Sequence, residues 1–234
     1  MKPHSLKPLI ELYDFDGKPK RPLPGFVDAE TTLARVPPDV RDWITCRLKE
    51  TPVPFPWYWF GPVGCGKSSA AALVYQYAPD VVELTTGHIV RTMPLAFRLD
   101  DLVGMIRKGR RAGGLEMMDE TTGKMFMRTE GHLFSMMRRA AVVVIDEVGN
   151  GKPDDKDRLI VDRLSDVLQF CRVIYTSNIY PKRPENKPGA AVLQDIYDAR
   201  IASRMVANGH CREFSAVRMR NSKAVFEFQN RGQP

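Results

Sequence analysis

The stretch Trp57-Tyr58-Trp59-Phe60-Gly61-Pro62-Val63-Gly64-Cys65-Gly66-Lys67-Ser68 governs how the rest of this chain is read. The aromatic run is a strand by its composition. The residues from Gly61 to Ser68 match G-x-x-x-x-G-K-[ST] in full. A helix is expected from Lys67 to Tyr77, so the glycine turn lies between a strand and a helix, the context this motif requires. Glycines let backbone N–H groups turn inward around phosphate oxygens without a Cβ in the way. The helix N-terminus adds partial positive charge. Lys67 can reach the β- and γ-phosphates of a nucleoside triphosphate, and the Ser68 hydroxyl suits Mg²⁺. A chance glycine-rich turn explains neither the full spacing nor the flanking elements.

Three further stretches extend the pattern. Val142-Val143-Val144-Ile145-Asp146-Glu147 is an apolar strand ending in two acids. Asp146 is placed to hold the metal, directly or through water, and Glu147 to take a proton from an attacking water. The second acid argues for hydrolysis, since a small-molecule kinase does not need it. Val173-Ile174-Tyr175-Thr176-Ser177-Asn178 is a second apolar strand with a polar tip. Asn178 there can orient the water or touch the γ-phosphate, although Ser-Asn is also ordinary turn chemistry. In Asp198-Ala199-Arg200-Ile201-Ala202-Ser203-Arg204-Met205, the two arginines share one helical face. They read either as a solvated face or as a cation offered to a neighbouring subunit's phosphate. Arg218 and Arg220 offer a later cationic contact, and spacing does not choose between them.

Around these stretches, strands and helices alternate. Strands are expected at 81–85, 141–146, 172–176, 211–214 and 224–228. Helices are expected from Leu99 to Lys108, from Asp154 to Phe170, and from Val192 to Ala207. Such alternation predicts an α/β fold with a mostly parallel sheet and helices on its faces. The chain has 234 residues, enough for one domain and an extension. Of its 18 prolines, 10 fall in the first 56 residues, so the N-terminal segment reads as an extended arm. A short helix over Pro38 to Leu48 follows. The arm either packs on the body or docks another protein. The expected division is 1–49 for arm and short helix and 50–234 for the ATPase domain.

Composition removes other classes. The longest apolar run, Ala140 to Ile145, is far short of a bilayer span, and the N-terminus has no continuous apolar leader. No membrane partner and a cytoplasmic location are expected. Cys46, Cys65, Cys171 and Cys211 are widely spaced and read as reduced thiols. With 35 Lys and Arg against 28 Asp and Glu, the net charge is +7, which favours a polyanionic partner. The basic run Arg107-Lys108-Gly109-Arg110-Arg111-Ala112-Gly113-Gly114 is expected as a mobile loop. Its cations Arg107, Lys108, Arg110 and Arg111 either follow a phosphate backbone or are simply solvated.

The motifs GPVGCGKS, VVVIDE, YTSN and DARIASRM together resemble the AAA+ ATPases of the DnaC/DnaI helicase-loader and IstB transposition-ATPase group. The resemblance covers about residues 50 to 221, and the TSN tip and the late R-x-x-x-R helix narrow it to this group. It implies a P-loop NTPase (AAA+/ASCE) with a five-stranded parallel sheet flanked by helices. It also implies Mg²⁺-dependent ATP hydrolysis. The nucleotide would be held by Gly61, Pro62, Val63, Gly64, Cys65, Gly66, Lys67, Ser68 and Ser69, with Arg220 as sensor 2. The metal would be held by Ser68 and Asp146. Glu147 would be the catalytic acid of Walker B, Asn178 sensor 1, and Arg204 the arginine finger. The group assembles into rings or spirals around single-stranded DNA and delivers a replicative helicase under ATP control. An IstB-like regulator of a transposase shares the same engine and remains an alternative, as does a nucleotide-gated scaffold that barely hydrolyses.

Two departures from the group stand out. The head is shorter and richer in proline than a helical helicase-binding domain. An insertion at about 109–129 is rich in Met and Gly, and Leu115 to Met127 reads as two short strands around a Thr-Gly turn. That hairpin is either local packing or an adaptable docking surface.

Overall fold

The computed structural model describes residues 11–12, 24, 36, 57–78, 81–85, 88–118, 125–206 and 210–214. The expected helix at 38–48, the strand at 224–228, the Thr-Gly turn, Arg218 and Arg220 lie outside these residues.

The central sheet has five parallel strands: β2 (Trp57–Phe60), β5 (Leu95–Arg98), β8 (Val143–Val148), β9 (Val173–Ser177) and β10 (His210–Glu213). Its order is β10-β2-β9-β8-β5. The expected α/β fold with a five-stranded parallel sheet is therefore what the chain forms. Strand β9 inserts between β2 and β8, so three of the four stretches singled out above end side by side at one rim.

Alternation along each strand splits the core between the two faces. Tyr58, Val143, Ile145, Val173 and Tyr175 pack on one side, against α2 (Leu99–Ala112), α3 (Glu130–Arg139), α4 (Asp155–Leu168) and α6 (Ala199–Met205). Trp59, Val144 and Ile174 pack on the other, against α1 (Lys67–Tyr77) and Val36. Residues 142–145 are buried throughout, which explains their unbroken apolar reading. Three helix starts carry side-chain caps. Asp154 accepts from the N–H groups of Lys156 and Asp157, Thr129 from His132, and Asp198 from Ile201.

Several expectations are corrected. Strand 81–85 is real (β3, Val81–Thr85) but does not belong to the central sheet. It pairs antiparallel with β4 (His88–Thr92) and with β1 (Glu11–Leu12) of the arm. The edge place in the central sheet goes to β5, which runs into α2 with no turn residue between them, so no breaker marked it. Helix α2 continues to Ala112 and ends at Gly113 in the left-handed region (φ 76). The stretch 107–112 is therefore helix and not a loop. The hairpin forms as expected, from β6 (Leu115–Met118) and β7 (Met125–Arg128), and α3 follows it.

The helix expected over 192–207 is broken into α5 (Leu193–Ile196) and α6. Tyr197 is extended there (φ −114, ψ 163), and its buried hydroxyl accepts from the Gly149 N–H. Asp198 then caps a new helix, which an aspartate favours over continuing the old one.

Candidate nucleotide-binding site

The site lies at the C-terminal ends of the parallel strands, where open α/β sheets hold their ligands. The turn after β2 is built on three glycines with positive φ: Gly61 (147), Gly64 (77) and Gly66 (91). Gly61 also passes so close to the chain after β10 that a Cβ would lie 2.1 Å from the Phe214 carbonyl oxygen. The apex Pro62-Val63-Gly64 is exposed, while Cys65, Gly66, Lys67 and Ser69 are buried.

Lys67 is 6% exposed, and its ammonium is fully engaged. Nζ donates to the carbonyl oxygens of Gly61 (2.9 Å) and Pro62 (2.8 Å), to Cys65 Sγ (3.3 Å) and to Asn178 Oδ1 (3.0 Å). A charge this buried is tolerated because each of its donors finds an acceptor. The Ser68 hydroxyl donates to Asp146 Oδ1 at 2.8 Å, and the Thr176 hydroxyl donates to the same oxygen. Asp146 is 2% exposed. Lys67 with Asn178 and Ser68 with Asp146 thus form two hydrogen-bonded pairs, joined through the adjacent positions of Lys67 and Ser68.

Glu147 is the sole non-glycine residue with positive φ (60) among the described residues. It sits in the register shift between Ile145 and Val148, and its N–H points to Thr176 Oγ1 at 3.3 Å. Backbone of this kind costs about 1–3 kcal/mol and persists where surrounding structure imposes it. Here β9 imposes it through Thr176 and through Ser177, whose hydroxyl donates to Val148 O at 2.6 Å. Across the other edge of β8, Arg98 pairs in register with Asp146, and its guanidinium lies 3.7 Å from the Glu147 carboxylate.

Arg98 and Thr176 are further residues at this site, beyond those the sequence pointed to. Thr176 was in view within the TSN tip but without a role. Arg98 carried no signal, because β5 itself was not recognised. Tyr58 supports the site from below: its hydroxyl donates to Ile179 O at 3.0 Å, and burial pushes its pKa up.

Arg204 is not among these residues. Its Nη1 lies 2.9 Å from Asp162 Oδ1 and its Nη2 lies 3.0 Å from Asp166 Oδ1, both on α4. The basic run is also corrected in chemistry. Arg107 is bidentate on Asp157 at 3.1 Å, and Arg110 is bidentate on Glu130 at 2.9 Å. Lys108 and Arg111 remain exposed on the last turns of α2.

Ser68 Oγ and Asp146 Oδ1 are hard oxygens of the kind Mg²⁺ takes, and a P-loop site uses few protein ligands beside phosphate and water.

No protein-family model matches the chain, and no curated protein matches it by sequence. Solved structures do match. AMPPCP-bound DnaA from Aquifex aeolicus is similar over 89% of this chain and 54% of its own, with a TM-score of 0.55 and 15% identity. The replication initiator DnaA bound to AMPPCP and single-stranded DNA matches over 88% of this chain and 56% of its own, with a TM-score of 0.56 and 14% identity. The fold is that of an AAA+ P-loop NTPase. The chain spans just over half the length of these DnaA chains. The DnaC helicase loader is also similar, over 76% of this chain and 85% of its own, with a TM-score of 0.45 and 13% identity. Gly61 to Ser68 follow β2, Asp146 and Glu147 lie near the end of β8, and Asn178 follows β9, the strand between them.

Proposed function

We propose that this chain is an Mg²⁺-dependent AAA+ ATPase of DNA replication, which binds single-stranded DNA and delivers a replicative helicase. The observation that carries the ATPase reading is the convergence at the strand tips of two hydrogen-bonded pairs, Lys67 with Asn178 and Ser68 with Asp146. Backbone N–H groups of residues 63–66 and the Lys67 ammonium bind the phosphates. Ser68 and Asp146 would hold Mg²⁺, which would supply neutralisation of phosphate charge. The Glu147 carboxylate accepts the proton of the attacking water, and Asn178 orients that water. Arg204 serves the site of the adjacent copy. The DNA and helicase parts of the reading draw support from the motif resemblance, the +7 charge, and the DnaA that was solved with AMPPCP and single-stranded DNA.

The test is calorimetry with ATP and Mg²⁺, followed by mass measurement with single-stranded DNA and a hexameric replicative helicase present or omitted. Heat of binding and a nucleotide-dependent complex with the helicase are expected. No heat from well-folded protein overturns the whole reading. Binding and hydrolysis without capture of the helicase overturn its replication part.

A further inference from the structure

The α4–α6 face carries an ordered ladder of charge. Arg158 Nη2 meets Asp198 Oδ2 at 3.2 Å, Arg200 Nη2 meets Asp162 Oδ2 at 2.7 Å, and Arg204 Nη1 meets Asp162 Oδ1 at 2.9 Å. Arg204 Nη2 closes the ladder on Asp166 Oδ1 at 3.0 Å. Three arginines face three aspartates, so the face is neutral by itself.

Asp162 stands at the middle and is the one carboxylate of this ladder that serves two arginines, one on each oxygen. We propose that Asp162 is a positioning residue for the arginine given in trans, fixing the Arg204 guanidinium along α4 so that a neighbouring copy meets a preset cation. The proposal rests on the reading that Arg204 acts on the adjacent copy's triphosphate.

The physical case has three parts. Helix α6 has only seven residues, and an arginine side chain has four rotatable bonds, so neither element orients the guanidinium unaided. Helix α4 can do so. Its first turn is capped by Asp154, and Ile160, Val161, Leu164, Val167 and Leu168 anchor it in the core.

The contacts also differ in shelter. The side chains of Arg204 and Asp162 are 22% and 26% exposed, whereas Asp166 and Arg200 are 57% and 63% exposed. Exposed pairs are screened and exchange readily, and sheltered ones hold. Asp162 therefore acts as the anchor. Asp166 is the outer contact that an arriving phosphate replaces.

Lastly, Arg204 Nη1 has secondary acceptors in Asp162 O (3.5 Å) and Ser165 Oγ (3.4 Å), all on the α4 side.

The test uses the full chain with Asp162→Asn, which keeps side-chain size and removes the charge. Its KM for ATP is expected to stay within about twofold, because the variant's own nucleotide pocket is intact, while kcat falls roughly tenfold to a hundredfold. Adding Asp162→Asn to Arg204→Ala is expected to cost nothing further. Mixing Asp162→Asn with Lys67→Ala protein restores turnover, since each supplies what the other lacks. Asp162→Glu recovers part of the loss, and Asp166→Asn changes kcat by less than about threefold. Nucleotide-dependent sedimentation of the wild type and of Asp162→Asn checks that both still self-associate. A kcat unchanged in Asp162→Asn, or independent losses in the double variant, overturns the proposal while leaving an Arg204-dependent ATPase standing. An inactive wild type that also fails to self-associate with nucleotide overturns the parent reading instead.

Discussion

Lys67 and Asn178 are 111 residues apart in sequence, and the ammonium of one donates a 3.0 Å hydrogen bond to the side-chain oxygen of the other. The pairing of β2 with β9 brings them together, since Phe60 lies opposite Ser177 at the two tips. The phosphate-binding lysine and the polar group expected to read the γ-phosphate thus share one contact. Asn178→Ala is expected to leave ATP affinity within about tenfold and to lower kcat on the order of a hundredfold. Calorimetry and steady-state hydrolysis on the same preparation separate the two effects. A loss of affinity with kcat unchanged would mean that Asn178 serves binding alone.

Glu147 occupies a strained backbone position, and Arg98 lies against its carboxylate. Glu147→Gln is expected to bind ATP with Mg²⁺ normally and to turn over at least about a hundredfold more slowly. Arg98→Ala frees the carboxylate, and a basal rate raised about two- to fivefold is expected, because an exposed ion pair of this length is weak. A slower Arg98→Ala enzyme would show that the arginine helps the acid and does not restrain it.

Gly61 permits the turn after β2 to pass the Phe214 carbonyl, and its φ of 147 suits no other residue. Gly61→Ala is expected to lower folding stability by about 3 kcal/mol or more, from the clash and the backbone strain combined. Denaturant unfolding measures it. Gly64→Ala, where a Cβ meets nothing within 4 Å, carries only the strain of φ 77 and should cost less.

The basic end of α2 divides into two classes. Lys108 and Arg111 are exposed, whereas Arg107 and Arg110 are tied to Asp157 and Glu130. If single-stranded DNA follows this helix end, replacing Lys108 and Arg111 by alanine reduces the slope of log K against log salt by about 1.4. Replacing Arg107 and Arg110 acts first on thermal stability. An unchanged slope in the first variant removes these two side chains from the DNA surface.

Hydrogen bonding from Arg110 holds the Glu130 carboxyl below its ordinary value of 4.5, against an opposing effect of burial. The folded form therefore favours the charged carboxylate. Its contribution to stability is complete above the unfolded pKa and is lost as pH falls through the lower folded value. Glu130→Gln should flatten the acid limb of the stability curve below about pH 4.5 and leave its shape near neutrality unchanged. Urea unfolding across that range checks it. An acid limb as steep as the wild type's would exclude Glu130 as a source.

Local chemistry was legible wherever a short segment carries its own constraint. The cradle needs glycines at positive φ, the buried strand at 142–145 needs apolar residues on both faces, and helix starts need an oxygen at the cap. Each requirement is met within a few residues, so Gly61 to Ser68, Asp146 and Asn178 could be named from the sequence. The parallel sheet followed from the alternation of such segments. What depended on distant partners was not legible. The edge strand β5 exists because β8 offers it a ladder, and Tyr197 breaks a helix because the Gly149 N–H is there to bond. The same holds for Arg98 beside Glu147, for Arg107 and Arg110 bound by acids from other helices, and for Arg204 held on α4 by Asp162. A charge announces its type in sequence, but its partner, and so its freedom to act, is decided only when remote segments pack together.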